Sequence, residues 1–353
     1  MAPEPDGEAV KKPQLNAGEA ETRPFSPFDA AFRGKDITKM TAQEFFDIIK
    51  GPTKSPEGEK RATSFKPRST DVLTVTTPKT GQTWLLAMLR KLSLGKDYKD
   101  VDAKLATTAS GEGDGVPWLE HAKSVSNIYD EQPGAFRVYK SHLKLSQVRH
   151  MIAENPDTKF FTCLRQPHDV ALSFFRHMRG MYVERVAGGD ATLFDSTFTV
   201  NDFAKVDLGY EQNLKEWLSV RHLPNVKVLF YEETLAEPAA SLRDIAEFVG
   251  VALDAELEKQ TLDATDYNVM SSSNVFMNVF PGGGTYGKGR ESLSKQAGDD
   301  IDQRWAAVVE PGTGASSYEA LYEQINGKPF PFKESASGTC SNDGLQLLTS
   351  ACC

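Results

Sequence analysis

Cysteine is scarce in this chain: four in 353 residues, at Cys163, Cys340, Cys352 and Cys353. No metal-ligand spacing and no disulfide framework is legible among them, which excludes a cross-linked secreted scaffold and makes a reducing compartment the expectation. Cys163 lies in an apolar run and is expected to be a buried thiol, whereas the other three fall in a polar tail. Long apolar runs are also missing. No stretch approaches the ~20 residues that span a bilayer, and the opening MAPEPDGEAVKKPQLNAGEAETRPF lacks the apolar centre of a secretory signal. A cytoplasmic protein is therefore expected. Positive charge is in deficit, with 40 Lys and Arg against 49 Asp and Glu and a net charge of −9. That weighs against a general nucleic-acid binder but leaves room for one anionic ligand held by local groups. No internal repeat is present.

What is there reads as one α/β domain. Residues 1–25 are rich in Pro, Glu, Ala and Gly without apolar periodicity and are expected to be disordered; residues 331–353 read as a loose polar tail. The domain is placed at 26–330, with one helix at 42–49 and the ordered core starting near Asp71. From there, β-branched and aromatic runs at 71–77, 135–140, 159–164 and 226–231 alternate with helical periodicity at 83–92, 145–153, 169–178, 211–222 and 238–249. Asp169 is the expected N-cap of the third of these helices. Repeated β–α order implies a parallel sheet flanked by helices. Residues 93–117, with Gly111, Gly113 and Gly115, read as a mobile loop. Residues 281–298 show no periodicity, and helical regions follow at 301–309 and 318–325.

The sharpest signal is Thr77-Pro78-Lys79-Thr80-Gly81-Gln82-Thr83-Trp84, joining the first strand to an amphipathic helix. Such a junction presents unpaired backbone N–H groups to an anion. Gly81 allows close backbone approach, Thr80 and Thr83 add hydroxyls, and Lys79 adds a charge. The order differs from G-x-x-x-x-G-K-[ST], because the Lys precedes the Gly. By composition alone the segment reads equally as an ordinary β–α turn with an exposed Lys.

This loop closely resembles the T-Y-P-K-[ST]-G-[ST]-T-W loop of the cytosolic-type sulfotransferases, which grips the 5′-phosphosulfate end of 3′-phosphoadenosine 5′-phosphosulfate (PAPS). Further segments resemble that family in the same order. Lys140-Ser141-His142-Leu143 is similar to its K-[TS]-H-L motif, which implies His142 as general base, with Lys79 and Lys140 offsetting charge on the transferring sulfonate. Arg165, ending a strand, and Ser173, eight residues on, match the pair that holds the 3′-phosphate. Tyr231, at the end of Leu229-Phe230-Tyr231, matches a Tyr near the adenine. Thr265-Asp266-Tyr267-Asn268-Val269-Met270 is similar to T-x-F-x-x-M, whose aromatic stacks the adenine opposite the counterpart of Trp84. The family's R-K-G-x-x-G-x-W-K departs here: Lys288 and Gly289 match, Gly287 replaces the Arg, and Arg290 is the candidate to supply the missing guanidinium.

The resemblance covers about residues 71–325. It implies a single α/β domain with a P-loop-like phosphosulfate-binding loop, PAPS as sulfonate donor, no metal, and a small, lipophilic acceptor such as a sterol or phenol. Phe45, Phe46, Trp118, Phe174, Tyr182 and Phe276 are candidates for lining its pocket or, equally, for core. Two other functions fit the same segments less well: an inactive nucleotide-binding regulator, which intact His142, Lys79 and Lys140 oppose, and a P-loop small-molecule kinase, which the loop's order opposes. The remaining histidines, His121, His150, His168, His177 and His222, carry no motif and read as structural or solvated. Oligomeric state and acceptor identity are not legible. Cys352-Cys353 is similar to a double-cysteine prenylation signal, a pattern of only two residues.

Overall fold

A computed structural model of the protein describes residues 27–51, 55–97, 116–121, 128–272 and 285–332. The order begins with three helices, α1 (Pro27–Phe32), α2 (Ala42–Lys50) and α3 (Pro56–Thr63). Next come β1 (Val72–Val75), α4 (Gln82–Leu94), β2 (Val138–Ser141), α5 (Leu145–Glu154), β3 (Lys159–Leu164) and α6 (Pro167–Arg185). After the short α7 (Thr192–Thr197) and α8 (Val200–Phe203) come α9 (Tyr210–Val220), β4 (Val226–Phe230), α10 (Tyr231–Ala236), α11 (Pro238–Phe248) and α12 (Ala255–Ala264). Then α13 (Tyr267–Ser272), α14 (Lys288–Ser292), α15 (Lys295–Val308), α16 (Glu310–Thr313) and α17 (Tyr318–Asn326) complete the described chain.

The four strands form one parallel sheet in the order β2-β1-β3-β4. Alternate strand residues point to opposite faces, and both faces are covered. On one side Leu73, Val75, Tyr139 and Phe160 pack with Val148 and Met151 of α5 and Trp217 of α9. On the other, Val72, Val138, Phe161 and Cys163 pack with α4 and with Leu242 and Ile245 of α11. At the amino ends of β1 and β2, Arg137 makes a two-pronged bond to buried Asp71, at 2.8 and 2.6 Å, so neither charge is left bare.

The chain leaves β1 for β2 on one side and returns to β3 on the other, so the topological switch point lies between β1 and β3. In open parallel sheets that crevice, outside the carboxyl ends of the strands, is where ligands bind.

Three expectations need correction. The ordered core starts well before Asp71: Phe32 of α1 and Phe45 and Ile49 of α2 are buried against Phe174 and Tyr182 of α6. Asp169 is not the cap of α6. Gln166 takes that place, its side-chain oxygen accepting from His168 N at 2.7 Å and Asp169 N at 3.2 Å, one step before the proline that opens the helix. Residues 288–298 are helical in part, in α14 and the start of α15, because Asp169 pins the turn before them. The glycines at 111, 113 and 115 and Phe276, Cys340, Cys352 and Cys353 lie outside the described residues.

Candidate active site at the carboxyl edge of the sheet

Every strand hands a functional side chain to the same edge: β1 leads to Lys79, β2 ends at Lys140 and Ser141 just before His142, β3 leads to Arg165, and β4 to Tyr231. The turn after β1 is tightly constrained. Thr80 Oγ1 donates to Thr77 O at 2.9 Å, and Thr77 Oγ1 accepts from Asn213 of α9 at 3.0 Å. Lys79 adopts φ 72°, the sole non-glycine residue with a positive value among the described residues. Such a conformation costs energy and persists where surrounding contacts impose it, commonly at ligand sites. Gly81, at φ 103°, is the N-cap of α4, and no side chain caps that helix. Its first-turn N–H groups therefore suit an anion. A Cβ on Gly81 would sit 2.7 Å from the Tyr231 ring, so glycine is required for space as well as for φ.

The Gln82 side chain also braces the sheet. Its side-chain nitrogen donates to Thr74 O, Thr74 Oγ1 and Ser141 O, each at 3.0 Å, and ties β1 to β2 beneath the loop. Its Oε1 is buried without a partner among the described residues, and its backbone N–H lies in the first turn of α4. Thr83, Trp84 and Ser173 are half-buried around the same edge.

Arg165 links the Lys79 loop to Tyr231. Its Nη1 donates to Lys79 O at 3.2 Å, its guanidinium carbon lies 4.2 Å from the centre of the Tyr231 ring, and its Nε is buried without a partner among the described residues. Tyr231 in turn meets Trp84 edge-on, with centroids 5.9 Å apart. Tyr267 is close enough to help raise the Tyr231 phenol, which burial already pushes up. Thr265 is buried with its hydroxyl on Thr261 O at 2.8 Å, and Met270 is buried. A small cavity between α4 and β4 is lined by Thr80, Gly81, Trp84, Cys163 and Tyr231. Cys163 is the expected buried thiol, and burial raises it to about 12.

Across the crevice, His142 Nδ1 lies 2.8 Å from Thr76 O. A carbonyl only accepts, so Nδ1 carries the proton and Nε2 is the basic nitrogen. The His142 N–H donates to Glu120 Oε1 at 2.6 Å, while Ser141 Oγ donates to Glu120 Oε2 at 3.0 Å. The Trp118 ring stands edge-on to His142 at 5.3 Å and carries the Lys140 ammonium 4.2 Å from its centre. Burial, then the charges of Arg165 and Lys140, bring the Lys79 ammonium down to about 7. A bound anion would restore its charge.

Two further groups lie beside these residues without a motif to mark them. Glu120 has no local signature. His177 was set aside with the other structural histidines, yet burial and then Lys79, Lys140 and His142 hold its imidazole well below the ordinary range. Its signal was spacing: Ser173 and His177 are four residues apart on α6 and share a face. His168 fits the structural reading, buried against Gln166 at 2.8 Å and lowered to about 4 by burial and Arg290.

The glycine-rich stretch closes over the start of α6. Asp169 accepts from Gly287 N at 2.9 Å and Gly289 N at 2.6 Å, and a Cβ on Gly289 would run into the His168 carbonyl. Lys288 is exposed beside Glu291 at 2.7 Å. Arg290 is exposed, 3.6 Å from Asp302. Of the acceptor-pocket candidates, Phe45, Phe174 and Tyr182 are core, packed ring on ring with Phe194 and Phe203. Phe46 lies edge-on against Phe174 at 5.0 Å, and Trp118 alone among the described candidates faces His142. The described residues contain no cluster of His, Cys, Asp and Glu suited to a metal and no helix long and apolar enough to cross a membrane.

The fold is a parallel α/β sheet with Lys79, Arg165 and His142 at the edge of its switch point, an arrangement suited to an enzyme that handles anionic groups. The sulfotransferase domain profile matches residues 69–298, well over half of the chain, and the protein belongs to that family as a sulfotransferase. Similar proteins include the 3-alpha-hydroxysteroid sulfotransferase of Cavia porcellus, 25% identical over 60% of this chain and 69% of that one. Sulfotransferase 1A1 of Canis lupus familiaris is 26% identical, over 60% of this chain and 69% of its own. Among solved structures, mouse sulfotransferase SULT7A1 complexed with PAP aligns with a TM-score of 0.56 at 19% identity, covering 78% of this chain and 95% of that one. Retinol dehydratase in complex with androsterone and inactive cofactor PAP aligns at 0.53 and 20%, covering 75% and 93%. At those identities the structural likeness concerns the fold.

Proposed function

We propose that the protein transfers a sulfonate from PAPS to a hydroxyl, or an amine, of a small lipophilic acceptor, with a sterol or phenol as the favoured class, and that it does so in the cytoplasm. The observation that carries this reading is the fixed tautomer of His142, poised in one crevice with Lys79, Lys140 and Arg165. The Lys79 loop and the first turn of α4 bind the 5′-phosphosulfate end, and Arg165 and Ser173 bind the 3′-phosphate. Trp84, Tyr231, Thr265, Tyr267 and Met270 surround the adenine. Lys288, Gly289 and Arg290 cover the 3′-phosphate.

In the transfer, His142 Nε2 takes the acceptor proton while the acceptor oxygen forms its bond to sulfur. The bond from sulfur to the phosphate oxygen breaks, and adenosine 3′,5′-bisphosphate leaves with the electron pair. Lys79 and Lys140 offset the charge on the sulfonate and the bridging oxygen. The similarity to the 3-alpha-hydroxysteroid sulfotransferase of Cavia porcellus supports a sterol acceptor, and Trp118 beside His142 offers an apolar wall.

Radiolabelled PAPS incubated with a panel of 3-hydroxysteroids and simple phenols tests the reaction. His142→Ala should lower kcat by roughly 10²–10⁴-fold, the usual worth of a general base, with little change in nucleotide binding. Full turnover by His142→Ala would remove the proposed base.

A further inference from the structure

Two buried side chains that offer no charge to a phosphate grip the backbone where β3 turns into α6. Tyr210, at the start of α9, accepts the Arg165 N–H at 3.1 Å and donates its own hydroxyl to the Arg165 carbonyl. One phenol oxygen thus satisfies both backbone polar groups of that residue. Glu232, fully buried in α10, accepts the next N–H, that of Gln166, at 2.9 Å through Oε1. Its Oε2 accepts the Tyr318 hydroxyl from α17 at 2.6 Å. Gln166 is the N-cap of α6, so the grip falls on the hinge between strand and helix.

An acid buried in this way is costly unless its hydrogen bonds are complete. Burial raises Glu232 to about 7, against the pull of Tyr318, the Gln166 N–H and Arg165. Both its oxygens are engaged, and one of them holds the residue next to Arg165. The Arg165 side chain leaves this clamped backbone, crosses the Tyr231 ring at 4.2 Å and reaches Lys79 O at 3.2 Å, with Nε still unpartnered among the described residues. The direction of the guanidinium fork is therefore inherited from a backbone that Tyr210 and Glu232 hold still.

We propose that Glu232 and Tyr210 are positioning residues for Arg165, and that through it they set the discrimination between an adenine nucleotide with a 3′-phosphate and one without. The proposal rests on the reading that Arg165 binds the 3′-phosphate. Both residues are buried and bonded to backbone; they fix the angle at which a planar, two-pronged donor meets a phosphate, a geometry on which its bonding depends.

The test measures dissociation constants of the full chain for adenosine 3′,5′-bisphosphate and for adenosine 5′-monophosphate, and takes their ratio. Arg165→Ala should collapse the ratio. Glu232→Ala should weaken bisphosphate binding about tenfold, and Tyr210→Phe about threefold, as expected when a buried hydrogen bond that orients a binding group is lost. Binding of the monophosphate should move less than about twofold in both. Glu232→Gln should recover most of the ratio, because its carbonyl accepts the Gln166 N–H and its amide donates to the Tyr318 oxygen. A ratio that falls in Arg165→Ala but holds in Glu232→Ala and Tyr210→Phe overturns the positioning role, and so does an equal loss for both nucleotides. A ratio that Arg165→Ala leaves intact overturns the underlying reading of Arg165 instead. Should Glu232→Ala fail to fold, Tyr210→Phe, which deletes one hydroxyl and keeps the ring, decides the matter alone.

Discussion

The crevice at the sheet edge and the aromatic flank around Phe45 are built on opposite principles. The crevice holds its shape through hydrogen bonds to backbone at strand ends: Gln82 to Thr74 and Ser141, Arg165 to Lys79, His142 to Thr76 and Glu120. The flank holds through ring packing of Phe45 on Phe194, Phe198 and Phe203, residues on three separate helices or their ends. Directional bonds specify where a ligand's charge must sit. Packing specifies volume, and a fully buried ring there is felt first as stability.

That contrast breaks most visibly at Phe45, which is 0% exposed. Phe45→Ala should cost about 3–5 kcal/mol of stability, as large-to-small core changes do. Denaturant unfolding would read that loss, and adenosine 3′,5′-bisphosphate affinity of the folded fraction should stay within about twofold, because the ring partners of Phe45 are Phe32, Tyr182, Phe194, Phe198 and Phe203 and none of these is a crevice side chain. Parallel losses in both measurements would join the two regions into one unit.

On the crevice side, pH is a finer probe. Lys79 has its folded pKa lowered to about 7, below its ordinary 10.5. The unliganded protein therefore binds fewer protons than the unfolded chain between those values, and this group's contribution to stability rises with pH across that window. A bound anion pulls the proton back. Bisphosphate binding at pH 8 should accordingly take up protons, seen as a calorimetric enthalpy that varies with buffer, and affinity should weaken as pH climbs from 7 to 9. Lys79→Met should abolish that uptake; uptake that survives the substitution would assign it to another group.

The smallest effect is expected at Arg290. It lies on the exposed rim beside Asp302 rather than in the clamped interior. Arg290→Ala should weaken bisphosphate binding severalfold, less than Arg165→Ala does, in keeping with a half-exposed charge. An unchanged dissociation constant would leave Lys288 and Gly289 as the cover and remove Arg290 from it.

Much of this is legible in the sequence. The β–α alternation gave the parallel sheet, with strand and helix limits that the structure moves by only a few residues at most positions. Lys79, His142, Arg165 and Tyr231 do meet at one edge, because each follows a strand and parallel strands end together. Asp169 was misread as a cap because its residue type suits one; Gln166, less usual there, had the right position next to Pro167. Helices α1 and α2 were undervalued because their apolar residues are few and short in period, and their partners lie in α6 and beyond. His177 escaped because a lone histidine carries no motif, although its spacing from Ser173 was readable.

By itself the sequence settled which residue types stand at the carboxyl edge of the sheet and their order along the chain, since a strand, a tight turn and a helix start are formed by neighbours in sequence. Tertiary structure alone decided what holds those groups in place. Glu120 under His142, Tyr210 and Glu232 around the Arg165 junction, and Tyr318 behind Glu232 come from distant segments. A hydrogen bond between remote residues leaves no periodicity for a sequence to show, and folding must bring its two ends together before either has a role.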